Sequence, residues 1–201
     1  MTAPRRAERT RGTRETQVRV TVDLDGTGQA EIRTGVGFYE HLLTSLAHHS
    51  LIDLVIEAQG DLEIDEHPTV EDVALPLGQA LAEALGDRAG IARFGDAAVP
   101  MDESLARCAL DLSGRPYAAI DLPFRGERMG QLSTQLVEHA LGSFAQTAGA
   151  TLHLSGTGRN AHHLAEAAFK ALARSLRAAV TVDPRRAGVA STKGSLERSG
   201  A

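Results

Sequence analysis

His67 and Glu71 stand four residues apart, and so do His162 and Glu166. On a helix, positions i and i+4 share a face, so each pair can close on one ion. Imidazole and carboxylate together suit manganese, iron, cobalt or zinc. A single histidine on a helix is more often structural than ligating, but two copies of His-x-x-x-Glu at matching places in a repeat reverse that expectation. His162 and His163 are adjacent and point about 100° apart around a helix axis, so they serve different ions. A two-metal arrangement follows, each ion drawing ligands from both halves of the chain. His41 and His139 each follow a glutamate and join the ligand set. His49 closes its helix as either a dipole-stabilised surface residue or a substrate contact, and stands with the candidate catalytic groups. His48 and His153 read as structural.

The elements that must position these groups come in two matched sets. Glu40-His41-Leu42-Leu43-Thr44-Ser45-Leu46-Ala47 parallels Glu138-His139-Ala140-Leu141-Gly142-Ser143-Phe144-Ala145. An apolar segment follows each, and then His-x-x-x-Glu opens an Ala/Leu-rich helix. Apolar alternation and short apolar runs predict strands at 17–24, 51–58, 62–64, 104–112, 117–122 and 151–154. Asp25-Gly26-Thr27-Gly28 reads as a hairpin turn leading into 29–34. Helical spacing predicts helices at 38–48, 69–85, 132–147 and 164–180. The fold class is α+β: an internally duplicated domain of two pseudo-symmetric halves, each a mixed sheet with two helices on one face. Its expected parts are a flexible N-terminal arm (1–13), a first half-repeat (14–97), a second (98–182) and a C-terminal tail (183–201).

A net charge of −5 over 201 residues argues against nucleic acid as the main partner. Arg5, Arg6, Arg9 and Arg11 crowd the start of the chain and read as a solvated arm. No apolar stretch follows Arg5 and Arg6, as a twin-arginine export signal requires, and no run approaches the ~18 apolar residues of a membrane span. Cys108 is the only cysteine, so a disulfide within the chain is impossible. A cytoplasmic protein with no membrane partner is expected. Ser113-Gly114-Arg115-Pro116, the Gly90–Gly95 segment with Arg93, and Ser191-Thr192-Lys193-Gly194 each set a cation beside turn-forming residues. Backbone N–H groups beside a cation are the usual physics of a phosphate seat, although each segment taken singly is a weak signal, since Arg in a turn is commonplace.

Gly35-Val36-Gly37-Phe38-Tyr39-Glu40-His41-Leu42-Leu43, Gly60-Asp61-Leu62-Glu63-Ile64, Thr69-Val70-Glu71-Asp72, Leu112-Ser113-Gly114-Arg115-Pro116, Asn160-Ala161-His162-His163 and Ser191-Thr192-Lys193-Gly194 follow one another in order. Together they closely resemble imidazoleglycerol-phosphate dehydratase, a family of histidine biosynthesis, over nearly the whole chain. The resemblance implies duplicated subunits assembled as a homo-oligomer, a 24-mer, with Mn2+ completing active sites between subunits. It implies removal of water from imidazoleglycerol phosphate to give imidazoleacetol phosphate. One ion would take His67, Glu71, His139 and His163. The other would take His41, His162, Glu166 and the second histidine of a His-His pair. Glu15 matches the family's acid–base glutamate, and Arg93, Arg115, Ser191, Thr192 and Lys193 match the phosphate seat.

Three departures bear on that reading. Pro68 stands where the second histidine of the pair belongs, so one ion loses a ligand and is weakened. Pro76 falls inside a predicted helix, where proline costs roughly 3 kcal/mol or forces a kink. The loop Ser155-Gly156-Thr157-Gly158 is about one residue short. The expected function is the metal-dependent dehydratase; the alternative is a non-catalytic or altered-specificity paralogue with a damaged metal site.

Overall fold

In chain order the first half contains β1 (Arg6–Gly12), β2 (Thr16–Asp23), β3 (Ala30–Arg33), α1 (Gly37–Ser50), β4 (Asp53–Gly60) and α2 (His67–Leu85). The second contains β5 (Phe94–Met101), β6 (Ser104–Asp111), β7 (Tyr117–Asp121), β8 (Arg128–Met129), β9 (Leu132–Ser133), α3 (Thr134–Ala148), β10 (Thr151–Thr157) and α4 (Ala161–Val180). The structure, a computed structural model, describes residues 4–196; positions 1–3 of the expected arm and 197–201 of the expected tail lie outside the described residues. The strand orders are β1-β2-β4-β3 and β5-β6-β10-β7. Each sheet is antiparallel except for its last pair, β3 with β4 and β7 with β10. Strand for strand and helix for helix, the two halves repeat one topology. The duplicated α+β fold read from the sequence is the fold observed.

All four helices lie on the inner faces of the sheets. Alternation along β2 turns Val18, Val20 and Val22 inward, and β6 does the same with Ala106, Cys108 and Leu110. On these faces α2 packs against β1 and β2, and α4 against β5 and β6. The helices then meet across the halves, α2 against α3 and α1 against α4. With so few aromatic residues the interior is filled by aliphatic side chains, among them Leu42, Leu43, Leu136, Leu164, Leu172 and Leu176. Small residues let the layers close up. A Cβ at Gly78 would stand 2.1 Å from Thr147 Oγ1 and 2.5 Å from the Phe144 carbonyl, so α2 and α3 touch backbone to backbone there. At Gly95 a Cβ would stand 2.0 Å from the Ser175 carbonyl, which seats α4 on β5.

Several expectations need correction. The arm before Arg14 is not flexible where it is described: residues 6–12 form β1, paired residue by residue with β2. Only Ala7 of this strand is buried, so it carries no apolar alternation to read. Its arginines are pins instead, Arg9 to Glu83 at 2.8 Å and Arg11 to Asp72 at 2.5 Å. Charged residues on an edge strand also discourage pairing with other chains. The 25–28 turn does not close a hairpin, because β4 lies between β2 and β3. Residues 62–64 form a turn rather than a strand, and 155–157 extend β10 rather than a loop. β5 was not expected, and the 97/98 division falls inside it. Pro68 occupies the first turn of α2, where a proline lacks nothing, and α2 continues through Pro76 to Leu85.

Gly78→Ala forces a methyl into the α2–α3 contact, where overpacking typically costs about 1–3 kcal/mol. Thermal unfolding is expected to show a clear fall in the midpoint, whereas an unchanged midpoint would mean that the helices do not meet as described.

Candidate metal centre

The first two turns of the four helices carry the chemistry, and each helix pair that joins the halves holds one cluster. Where α1 meets α4, Glu166 Oε2 lies 3.1 Å from His41 Nε2 and 3.2 Å from His162 Nε2. Where α2 meets α3, Glu71 Oε2 lies 3.7 Å from His67 Nε2 and 3.6 Å from His139 Nε2. Under the repeat, His41 corresponds to His139, His162 to His67, and Glu166 to Glu71. In each cluster the three ligand atoms lie within 4.8 Å of one another. Donors about 2.1 Å from a metal and roughly a right to a tetrahedral angle apart stand about 3.0–3.4 Å from each other, so the α1–α4 separations match an ion and those of the α2–α3 cluster are a few tenths of an ångström longer. His139 Nε2 is buried with no hydrogen-bond partner among the described residues, a costly state that a cation between the helices relieves. Six of the seven expected ligands are therefore brought together within one chain. The seventh, His163, is not.

The glutamates that precede His41 and His139 explain the repeated Glu-His dipeptide. Glu40 Oε1 accepts the backbone N–H groups of Thr34 at 2.5 Å and Gly35 at 2.8 Å, just after β3. Glu138 Oε1 accepts the N–H of Leu122 at 3.4 Å, just after β7. Each fixes the start of its helix and thereby the histidine beside it. Asn160 caps α4, its side chain accepting from the N–H groups of His162 and His163. Asp72, next to Glu71, is almost fully buried and takes Arg11 Nε at 2.5 Å and the Thr16 hydroxyl. It thus ties the β1–β2 hairpin to α2.

The two clusters differ electrically. Burial of Glu166 alone would raise its pKa, but hydrogen bonds from Lys170 and His41 outweigh this and hold it at about 2. Lys170, at 2.7 Å, was not foreseen, although its i+4 spacing from Glu166 was visible in the sequence. At the equivalent position after Glu71 stands Leu75, and Glu71 is more open, with 38% of its side chain exposed against 11% for Glu166.

The other expected site residues fall elsewhere. Glu15 is exposed at the tip of the β1–β2 hairpin. His49 lies in the last turn of α1, outside both clusters; burial first, then Lys170, His48 and Arg174, lower its pKa. His48 and His153 lie on the surface and have no part in the core. His163 turns to the β5–β6 turn, its Nδ1 2.9 Å from Glu103 Oε2, which raises its pKa. Arg93 holds Asp111 through Nε at 2.6 Å and a second nitrogen at 2.9 Å, and gives its third to the Ala190 carbonyl at 2.6 Å. It thereby sets the Ser191–Gly194 turn in place, and three of its five N–H donors are taken up among the described residues. Arg115 stands 3.8 Å from the same aspartate. The backbone N–H of Arg93 bonds the Ala179 carbonyl, thirteen residues beyond Glu166 on α4. At 1.5 Å per residue the cationic seat is about 20 Å from that cluster in the same chain.

Fold and site together define a duplicated α+β protein that carries two His2Glu clusters, each built across the halves. Comparison with known proteins is consistent with this. Residues 34–176 match the family model for imidazoleglycerol-phosphate dehydratase. The chain is 55% identical over 194 residues to the imidazoleglycerol-phosphate dehydratase of Cereibacter sphaeroides, covering 96% of this chain and 100% of the relative. It is 54% identical to that of Methylorubrum extorquens, with the same coverage. The crystal structure of the Staphylococcus aureus enzyme matches with a TM-score of 0.81 and 37% identity over 89% of this chain and 99% of the other. That of IGPD from Pyrococcus furiosus gives 0.81 and 35%, over 94% and 100%. The chain belongs to the imidazoleglycerol-phosphate dehydratase family.

Glu166 is more acidic in the folded chain than its ordinary value of 4.5, so on acidification the unfolded chain takes up the proton first. In metal-free protein, the stability that Glu166 provides over Glu166→Gln is expected to be complete above pH ~4.5 and to fade towards about 2. Denaturant unfolding of both forms across that range measures it; a constant difference contradicts the assignment.

Proposed function

We infer that this chain is a metal-dependent hydro-lyase that converts imidazoleglycerol phosphate into imidazoleacetol phosphate and water, a step of histidine biosynthesis. The observation that carries the reading is the pair of matched His2Glu clusters, each needing both halves of the duplicated chain. Mn2+ is the proposed ion, at two sites: His41, His162 and Glu166 at one, His67, Glu71 and His139 at the other. When bound, it supplies positive charge that stabilises negative charge developing on the substrate's imidazole.

The complete site is shared between chains of a homo-oligomer, a 24-mer by family likeness. Two observations support sharing. His163 faces away from its own chain's clusters, and the cationic seat lies about 20 Å along α4 from Glu166. Exposed Ile64, Phe94 and Tyr117 supply apolar surface of the kind assembly covers. Arg115, Ser191, Thr192 and Lys193 grip the phosphate of a substrate whose imidazole sits at a neighbour's clusters, and Arg93 keeps that seat in shape. The Glu15 carboxylate takes the proton from carbon and returns one to the departing hydroxyl, so the hydrogen and the hydroxyl leave as water. His49 contacts substrate beside Lys170. The family setting favours a cytoplasmic location, and among the described residues no helix is long and apolar enough to cross a membrane.

Pro68 is the counterpart of His163 and offers no donor to an ion. The site of His41, His162 and Glu166 is therefore the weaker one, with water in place of the missing imidazole. A non-catalytic paralogue is not favoured, because Pro68 sits in the first turn of α2 without displacing His67 or Glu71.

Purified chain given Mn2+ is expected to hold between one and two ions and to turn over imidazoleglycerol phosphate. A chelator should abolish turnover, and Pro68→His should tighten the weaker ion. Turnover that survives the chelator would remove the metal from the mechanism. For the shared site, Glu71→Gln and Lys193→Ala chains are each expected to be inactive alone and to regain activity when co-assembled. Failure to complement would return the whole site to one chain.

A further inference from the structure

Glu103 sits in the two-residue turn between β5 and β6 and is held from both sides. Its Oε1 accepts the backbone N–H groups of Asn160 at 2.8 Å and Arg159 at 3.0 Å, and the Ser104 hydroxyl at 3.0 Å. Its Oε2 lies 2.9 Å from His163 Nδ1. An ionised carboxylate only accepts hydrogen bonds, so Nδ1 must carry the proton, and the neutral ring keeps its lone pair on Nε2. Asp102 Oδ2 is 3.7 Å from that nitrogen, beyond hydrogen-bond reach, and leaves it available.

We propose that Glu103 is a positioning residue: it fixes the tautomer and direction of His163 so that Nε2 is presented as a metal donor to a neighbouring chain. The proposal rests on His163 being a ligand of the shared site. Duplication supports it. The register of β6 on β10, Leu105 with Thr157 through Asp111 with Thr151, repeats that of β2 on β4, Gln17 with Gln59 through Asp23 with Asp53, so Glu103 corresponds to Glu15. Opposite Glu15 the counterpart of His163 is Pro68, which has no imidazole to orient. Of the two equivalent glutamates, one holds an imidazole and the other stands exposed. Carboxylates that hold a ligating histidine from behind raise its basicity and lock its orientation.

A glutamine at 103 cannot do the same work. Its single oxygen is claimed by the two backbone N–H groups of α4's start, which turns the NH2 toward Nδ1. That pairing needs Nδ1 as acceptor and moves the proton to Nε2, which then cannot bind an ion. Solid-state nitrogen NMR of the assembled, histidine-labelled, metal-free protein reports the tautomer, with His163→Ala assigning the signal. Wild type is expected to show the Nδ1–H form and Glu103→Gln the Nε2–H form. Mn2+ titration followed by electron paramagnetic resonance should show one class of ion weakened about 10- to 100-fold in Glu103→Gln, with Glu103→Asp recovering part of the loss. If Glu103→Gln lowers only the melting temperature, leaving tautomer and Mn2+ affinity as in wild type, Glu103 is a helix anchor and the proposal fails. If His163→Ala binds Mn2+ as wild type does, the reading of His163 as a ligand fails first.

Discussion

Everything chemical in this chain depends on two helix contacts between its halves, α1 with α4 and α2 with α3. Neither half contains a cluster. Each contributes a single histidine to one and a His-x-x-x-Glu pair to the other, so the ligand sets exist only while the interior holds the helix pairs in register. The close backbone approach at Gly78 and the seating of α4 at Gly95 are the geometric conditions for this. The aliphatic interior is the free-energy source that maintains it.

Duplication gives symmetry, and the details then break it. Glu166 is buried and salted by Lys170, whereas Glu71 is half-open beside Leu75. His163 and Glu103 form a held pair on one side, while Pro68 and an exposed Glu15 face the equivalent places on the other. Two matched clusters can therefore bind unequal ions without any change of fold. The asymmetry lives in side chains on α2 and α4 and in the strand turns beside them, on a backbone plan that repeats.

Much of this was legible in the sequence. The repeat, the four helices and six of the cluster residues follow from His-x-x-x-Glu spacing and apolar periodicity, because both record which face of a helix is used. β1 and β5 escaped notice for a physical reason: they are edge strands whose pairing rests on backbone hydrogen bonds, and β1 buries one side chain. The order of β3 and β4 was missed because a loop of Asp and Gly looks the same whether its strands pair or part. Here the Asp53 side chain gathers the N–H groups of Thr27, Gly28 and Gln29 and steers the chain past β2. Glu103 was invisible for want of any local pattern, since its partners lie about sixty residues away.

The central claim is that each ion is gripped by residues of both halves. Crystals of the assembled protein grown with Mn2+ and measured near the manganese absorption edge test it directly. Two anomalous peaks per chain are expected, one bounded by His41, His162 and Glu166 and the other, stronger, by His67, Glu71 and His139. Peaks located elsewhere, or bounded by residues from one half only, would contradict the account.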